Sequence, residues 1–178
     1  MMKTVVVSDT NIFIDLVNLD LLGDFFALPW DVHTTDFVMG ELTDPVQKAA
    51  VTAFIKRNKL TIGQLNSEEV DIIVQRSSET GGKISITDFS VCYYSKKNGY
   101  TLLTGDRNLL KIAINENITV HGILYLFDEL VSHSILPPKL AVETLKQLRE
   151  LNTRLPIDEV DARIMNWESM IKKQENMR

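Results

Sequence analysis

The sequence predicts an α/β fold built around a buried parallel sheet, and three observations carry that expectation. The run Thr4-Val5-Val6-Val7 is β-branched and continuously apolar, which suits a strand covered on both faces. It stops abruptly in Ser8-Asp9-Thr10-Asn11, after which Ile12, Phe13, Leu16 and Val17 fall at helical spacing. The arrangement returns at Thr101-Leu102-Leu103-Thr104-Gly105-Asp106, followed by Leu109, Leu110, Ala113 and Ile114. Each unit is a strand, a polar turn with one aspartate, and a helix. In open α/β sheets ligands bind beyond the carboxyl ends of the strands, so Asp9 and Asp106 are expected along one edge. Two anions gathered there repel, and such a site calls for a proton or a cation between them.

At 178 residues and 44% hydrophobic content the chain can bury one substantial core. The organisation expected is a domain over residues 1–136 and a helical extension over residues 137–178, packed on the domain or on a partner such as a second copy of the chain. No apolar run is long enough to span a bilayer and the first residues do not read as a secretory signal, so a cytoplasmic protein without a membrane role is expected. A single cysteine, Cys92, fits a reducing compartment and reads as a small core residue.

The net charge of -5 is uneven: residues 1–44 carry -7 and the remainder +2. An acidic total argues against gripping nucleic acid by bulk positive charge, yet leaves room for a protein that uses bound metal ions as its cations.

Along the chain, a first helix is expected to run through Leu22, and a short strand at Asp31-Val32-His33-Thr34-Thr35 leads to a helix that Asp36 is placed to cap. Glu41 lies in its second turn, either as a solvated surface residue or free for chemistry. Asp44-Pro45 reads as a cap and first helical residue, and Leu60 to Leu65 as a short strand. A further helix begins at Asn66 or Ser67 and stops near Gly81-Gly82, so that the segment resembles an insertion on the sheet. Ser85-Ile86-Thr87-Asp88 has the spacing of a capping box, which gives Asp88 a structural reading beside any functional one. Asp9 likewise has two readings, helix N-cap and site residue. Ile118 to His121 is a last short strand, followed by a helix. His33, His121 and His133 share no metal-ligand spacing. After Pro137-Pro138, Leu140, Val142, Leu145, Leu148 and Leu151 form one helical stripe, and Val160, Ile164, Trp167 and Ile171 another.

Taken together, Val7-Ser8-Asp9-Thr10-Asn11, the segment from Thr35 to Glu41-Leu42, Ser85 to Asp88, and Thr104-Gly105-Asp106-Arg107-Asn108-Leu109 form a series that resembles a PIN domain over about residues 3–130. The resemblance implies a three-layer α/β/α fold with a central parallel sheet, acids clustered at its carboxyl edge, and Mg²⁺ or Mn²⁺ held there. Many PIN domains are ribonucleases, including the toxins of toxin–antitoxin pairs. Carried over by position, Asp9, Glu41, Asp88 and Asp106 would be the catalytic, metal-holding acids, with Asn11 and Thr104 as polar support. The implied partners are RNA, single-stranded in preference, and an antitoxin protein.

The chemistry of these residues is consistent with that implication. Hard oxygen ligands select Mg²⁺ or Mn²⁺ over zinc, and ions of that kind activate water and neutralise the leaving oxygen of a phosphodiester. Lys83, Lys96, Lys97, Arg107 and Lys111 flank the acids in sequence as candidate phosphate contacts. The competing expectation is a PIN-like binding or regulatory subunit without turnover. An aspartyl-phosphate phosphatase fits less well, because it wants a second aspartate two residues after the first and Asn11 stands there.

Overall fold

The computed structural model describes residues 4–176. Strand β1 (Thr4–Ser8) is followed by α1 (Thr10–Asn18) and the short α2 (Leu22–Phe25). The single helix expected through Leu22 is thus two, because Asp20 adopts a left-handed φ of 57° that an α-helix cannot carry. Strand β2 (Trp30–Thr35) leads into α3 (Asp36–Glu41), α4 (Pro45–Lys56), β3 (Leu60–Gly63) and α5 (Ser67–Glu79). Next come α6 (Ile86–Asn98), β4 (Thr101–Leu103), α7 (Arg107–Asn115), β5 (Val120–His121) and α8 (Ile123–Ser132). The chain ends in α9 (Pro138–Leu151) and α10 (Ile157–Asn176).

All pairings are parallel, in the order β3-β2-β1-β4-β5. The helices complete a three-layer α/β/α architecture. Val6 and Val7 point to opposite faces of the central strand and both are fully buried, so helices cover both faces there, as the valine run predicts. Helix α6 packs across β1, β2 and β4, beside α3, α5 and α7, whereas α1 joins α2 and α4. The segment expected as an insertion belongs to the sheet: β3 pairs with β2 from Val32↔Leu60 to Thr35↔Gly63. A glycine ends β3 for a steric reason, since a Cβ on Gly63 would lie 2.4 Å from the Tyr94 ring.

The local stops and starts follow their chemistry. Asp44 accepts from the Val46 and Gln47 backbone N–H groups, and Asn66 and Ser85 each open a capping box with Glu69 and Asp88. Gly99 closes α6 in the left-handed conformation. Helix α3 is capped differently from the expectation. Thr35 is the N-cap, its hydroxyl facing the Val38 N–H, and Asp36 is the first helical residue.

Most of the buried apolar residues form one cluster, which includes Cys92 and the sheet valines and extends without a break into Ala141, Leu145 and Leu148 of α9 and Val160, Ile164 and Trp167 of α10. Burial pushes the Cys92 thiol up to about 12, so at neutral pH it is an inert core residue. Among the described residues no helix is long and apolar enough to cross a membrane.

Candidate active site

The order of the sheet places β1 between β2 and β4, at the point where successive connections run to opposite sides, and ligands in such sheets bind there. Register then sets which residues meet. Ser8 is level with Leu103 and Val7 with His33, so the residues that leave the strands together are Thr35, Asp9 and Thr104. Asp9 N–H donates to the Leu103 carbonyl at 3.0 Å, and the Thr104 hydroxyl donates to Asp9 Oδ2 at 2.8 Å. The same hydroxyl accepts the Asp106 backbone N–H at 3.1 Å, making Thr104 the joint between the two aspartate turns. Asn11 Oδ1 accepts the Gly105 N–H at 3.1 Å and holds them a second time. Asn11 and Thr104 therefore brace the two turns against each other.

Asp9 is 2% exposed. Burial pushes its carboxyl up to about 7; the nearby Asp88 and, more weakly, Glu41 push the same way, against the hydrogen bonds from Thr104 and the Thr10 backbone. Three of the sequence-predicted acids are thus brought into one electrostatic neighbourhood. Glu41, at the exposed end of α3, is tied to the β1 turn by a hydrogen bond from the Thr10 hydroxyl. Asp88 sits in the first turn of α6, where Oδ2 receives the Ser85 N–H at 3.0 Å and hydroxyl at 2.8 Å and Oδ1 takes no part in the cap. The capping reading of Asp88 is therefore correct and leaves one oxygen for other use.

Asp106 is placed differently. It reaches Asp9 through Thr104, while its Oδ1 accepts the Asn108 and Leu109 N–H groups, both at 2.8 Å, as the N-cap of α7.

The donors are all carboxylate oxygens around a buried acid short of positive charge, a set whose chemistry fits a hard divalent cation. No ready-made cage exists: among the described residues no three His, Cys, Asp or Glu side chains converge closely enough to hold an ion.

Two contacts escaped the sequence reading. Thr10 links β1 to Glu41, and the Thr35 and Ser90 hydroxyls meet at 2.7 Å, tying the end of β2 to α6. The available signal was threonine at a strand-to-helix junction, the last strand residue in Thr35 and the first helical residue in Thr10, where a hydroxyl can cap or reach sideways. The flanking cations fare unevenly. Lys96 pairs with Glu116 at 3.2 Å and Lys97 with Glu69, so both serve the α5–α6–α7 side of the structure. Lys83 and Lys111 are exposed, and the Arg107 guanidinium donates to the Arg154 carbonyl at 2.8 Å. The histidines are structural or superficial: His33 meets the Tyr94 hydroxyl at 3.0 Å and His121 stacks on Tyr125.

Among solved structures, the fold is similar to that of PAE2754 from Pyrobaculum aerophilum, with a TM-score of 0.50 and 17% identity over 74% of this chain and 99% of that one. FitAcB from Neisseria gonorrhoeae also aligns, with a TM-score of 0.39 and 15% identity over 65% of this chain and 95% of that one. No curated protein matches the sequence. A family model described as the PIN domain matches residues 5–169, running through the sheet and into α10, and the chain therefore belongs to the PIN domain family.

Proposed function

We propose that this chain is a metal-dependent endoribonuclease. The observation that supports the reading is the buried Asp9 carboxyl, with Asp88 and Glu41 near enough to raise its pKa further, at the strand-end position where open α/β sheets commonly take ligands. PIN domains are generally nucleases, which supports hydrolysis of a phosphodiester.

Asp9, Glu41, Asp88 and Asp106 would hold Mg²⁺ or Mn²⁺. Such an ion, when bound, lowers the pKa of water to yield a nucleophile and neutralises charge developing on the phosphate. The chain's own residues set the geometry. Thr104 and the Thr10 N–H fix both oxygens of Asp9, while Asn11 keeps the β4–α7 turn against the β1–α1 turn. Thr10 restrains Glu41, and the capping box fixes the Asp88 rotamer. Preorganisation of this kind favours catalysis because little reorganisation remains at the moment of reaction.

The competing reading, a binding or regulatory subunit without turnover, rests on the lack of a converged three-acid cage among the described residues. The deciding experiment is cleavage of a mixed pool of single-stranded RNA, with matched single-stranded DNA beside it, in Mn²⁺ and in EDTA. The expected result is Mn²⁺-dependent cutting of RNA, reduced more than about 100-fold in Asp9→Asn, beyond the loss typical of an outer-shell change. RNA left intact in Mn²⁺, or an Asp9→Asn protein as active as the parent, rejects the proposal. A toxin role extends it, and would be supported by a neighbouring short reading frame whose product co-purifies with this chain and silences it.

A further inference from the structure

A cleft of about 470 Å³ opens beside the acid site, on the side of β4 and β5, and its volume lies in the range of roughly 300–1,000 Å³ usual for small-molecule sites. Thr104 and Gly105 form part of its wall, so the residue that bonds Asp9 also lines the cleft. Residues of the α9–α10 connection, among them Arg154, line it as well. Arg107 lines it too, and its guanidinium fastens that connection through the Arg154 carbonyl.

The charge in this cleft is unlike that of the chain as a whole. Arg163 also lines it but is neutralised, by Asp128 at 2.7 Å and Glu159 at 3.4 Å. Arg107 and Arg154 form no salt bridge with any described residue. A protein with a net charge of -5 therefore places two uncompensated arginines around one cleft, whose wall includes the threonine that bonds Asp9. The remaining wall includes His121 and Tyr125, whose rings stack at 3.8 Å between centroids and 15° between planes. Guanidinium groups recognise phosphate through paired hydrogen bonds, and aromatic rings beside them suit a nucleobase.

We infer that this cleft receives the nucleotide adjoining the scissile bond, with Arg107 and Arg154 on its backbone phosphate and the His121–Tyr125 pair against its base. The inference rests on the ribonuclease reading of the acid site and assigns to the α9–α10 connection the positioning of the substrate strand. It also accounts for how an acidic protein holds an anionic polymer: the strand meets local positive charge beside the acids.

The test is fluorescence anisotropy of a short, labelled, mixed-sequence single-stranded RNA with the full chain in EDTA, where affinity is read whether or not the protein cuts. Arg154→Gln should weaken binding about tenfold, the usual worth of one charge-assisted hydrogen bond. It should also lower the slope of log affinity against log salt by about one. Arg107→Gln should do the same. Lys59→Gln removes an exposed positive charge just before β3, at the opposite edge of the sheet, and should bind like the parent. Unchanged affinity and slope in both arginine variants overturns the inference, as does an equal loss in Lys59→Gln, which would mark diffuse charge. Adenosine monophosphate binding that depends on Arg154 while RNA binding does not also overturns it, in favour of a free-nucleotide pocket. Loss of cleavage alone bears on the nuclease reading, because the arginine effect is measured without it.

Discussion

The β1–α1 and β4–α7 turns are near copies in sequence, each a short apolar strand, small polar residues, an aspartate and a helix, yet the structure gives their aspartates different surroundings. Asp106 is half-buried and behaves as a helix cap, one oxygen bridging the N–H groups of Asn108 and Leu109. Asp9 also occupies an N-cap position, but its side chain accepts only the adjacent Thr10 N–H and otherwise turns to Thr104. The difference comes from place in the sheet. Both strands are paired on two sides, but β1 is the middle strand, and α3, which follows its neighbour β2, and α6 bring Glu41 and Asp88 near its end, whereas the β4 turn lines the cleft beside β5. A local motif supplies an aspartate at a strand end; topology decides whether that aspartate caps a helix or concentrates charge.

The largest effect expected from this contrast is on stability against pH. Burial raises the folded-state pKa of Asp9 from its ordinary 3.8 to about 7, so the folded chain holds this proton more tightly than the unfolded chain does. Raising the pH from about 4 to about 7 then costs stability, on the order of 4 kcal/mol once Asp9 is ionised in both states. Asp9→Asn lacks that titration. In urea unfolding with EDTA present, the variant should gain on the parent progressively across this window and be the more stable protein at pH 7. A stability difference that stays constant from pH 4 to pH 7 would mean that Asp9 contributes to stability only as a helix cap.

Next in size is the response to metal. An ion that binds the folded acid cluster and not the unfolded chain stabilises by mass action, about 2.7 kcal/mol at a hundredfold excess over Kd. The parent should therefore melt higher in Mn²⁺ than in EDTA, and Asp9→Asn should gain less, because one ligand is gone. A parent melting temperature indifferent to Mn²⁺ would remove the cation from the comparison and return the cluster to a purely structural role.

How far the sequence could be read follows the same division between local and global causes. The strand–aspartate–helix units, the Asp44-Pro45 start and the Ser85/Asp88 capping box are set by neighbours a few residues away, and they are found where periodicity and capping chemistry put them. The parallel sheet was legible because valines with no polar alternation suit only a strand buried on both faces. Leu60 to Gly63 was harder to place. Its residues read as a short strand, but the helices on either side read as an insertion until its pairing with β2 is known. The threonine contacts were hidden for a related reason. Thr35 reaches Ser90 across 55 positions and Thr10 reaches Glu41 across 31, and no spacing rule joins residues so far apart. The cleft lay beyond reach altogether, since its walls come from the β4–α7 turn, the β5–α8 segment and the α9–α10 connection.

The smallest effect separates the two aspartates by what their oxygens do. Asn and Asp are nearly equal as N-caps, so Asp106→Asn should keep the bonds to Asn108 and Leu109 and unfold within about 0.5 kcal/mol of the parent at pH 7 in EDTA. Asp106→Ala loses the acceptor and leaves two helix N–H groups without it, at a cost of about 1 kcal/mol. Geometry, not charge, is thus the expected basis of stability at this turn, the reverse of the expectation at Asp9, where removing the charge is the gain. The measurement is the urea midpoint of the three proteins at constant slope. If Asp106→Asn falls as far as Asp106→Ala, the carboxylate charge itself holds the β4–α7 turn, and the two turns differ in degree of burial alone.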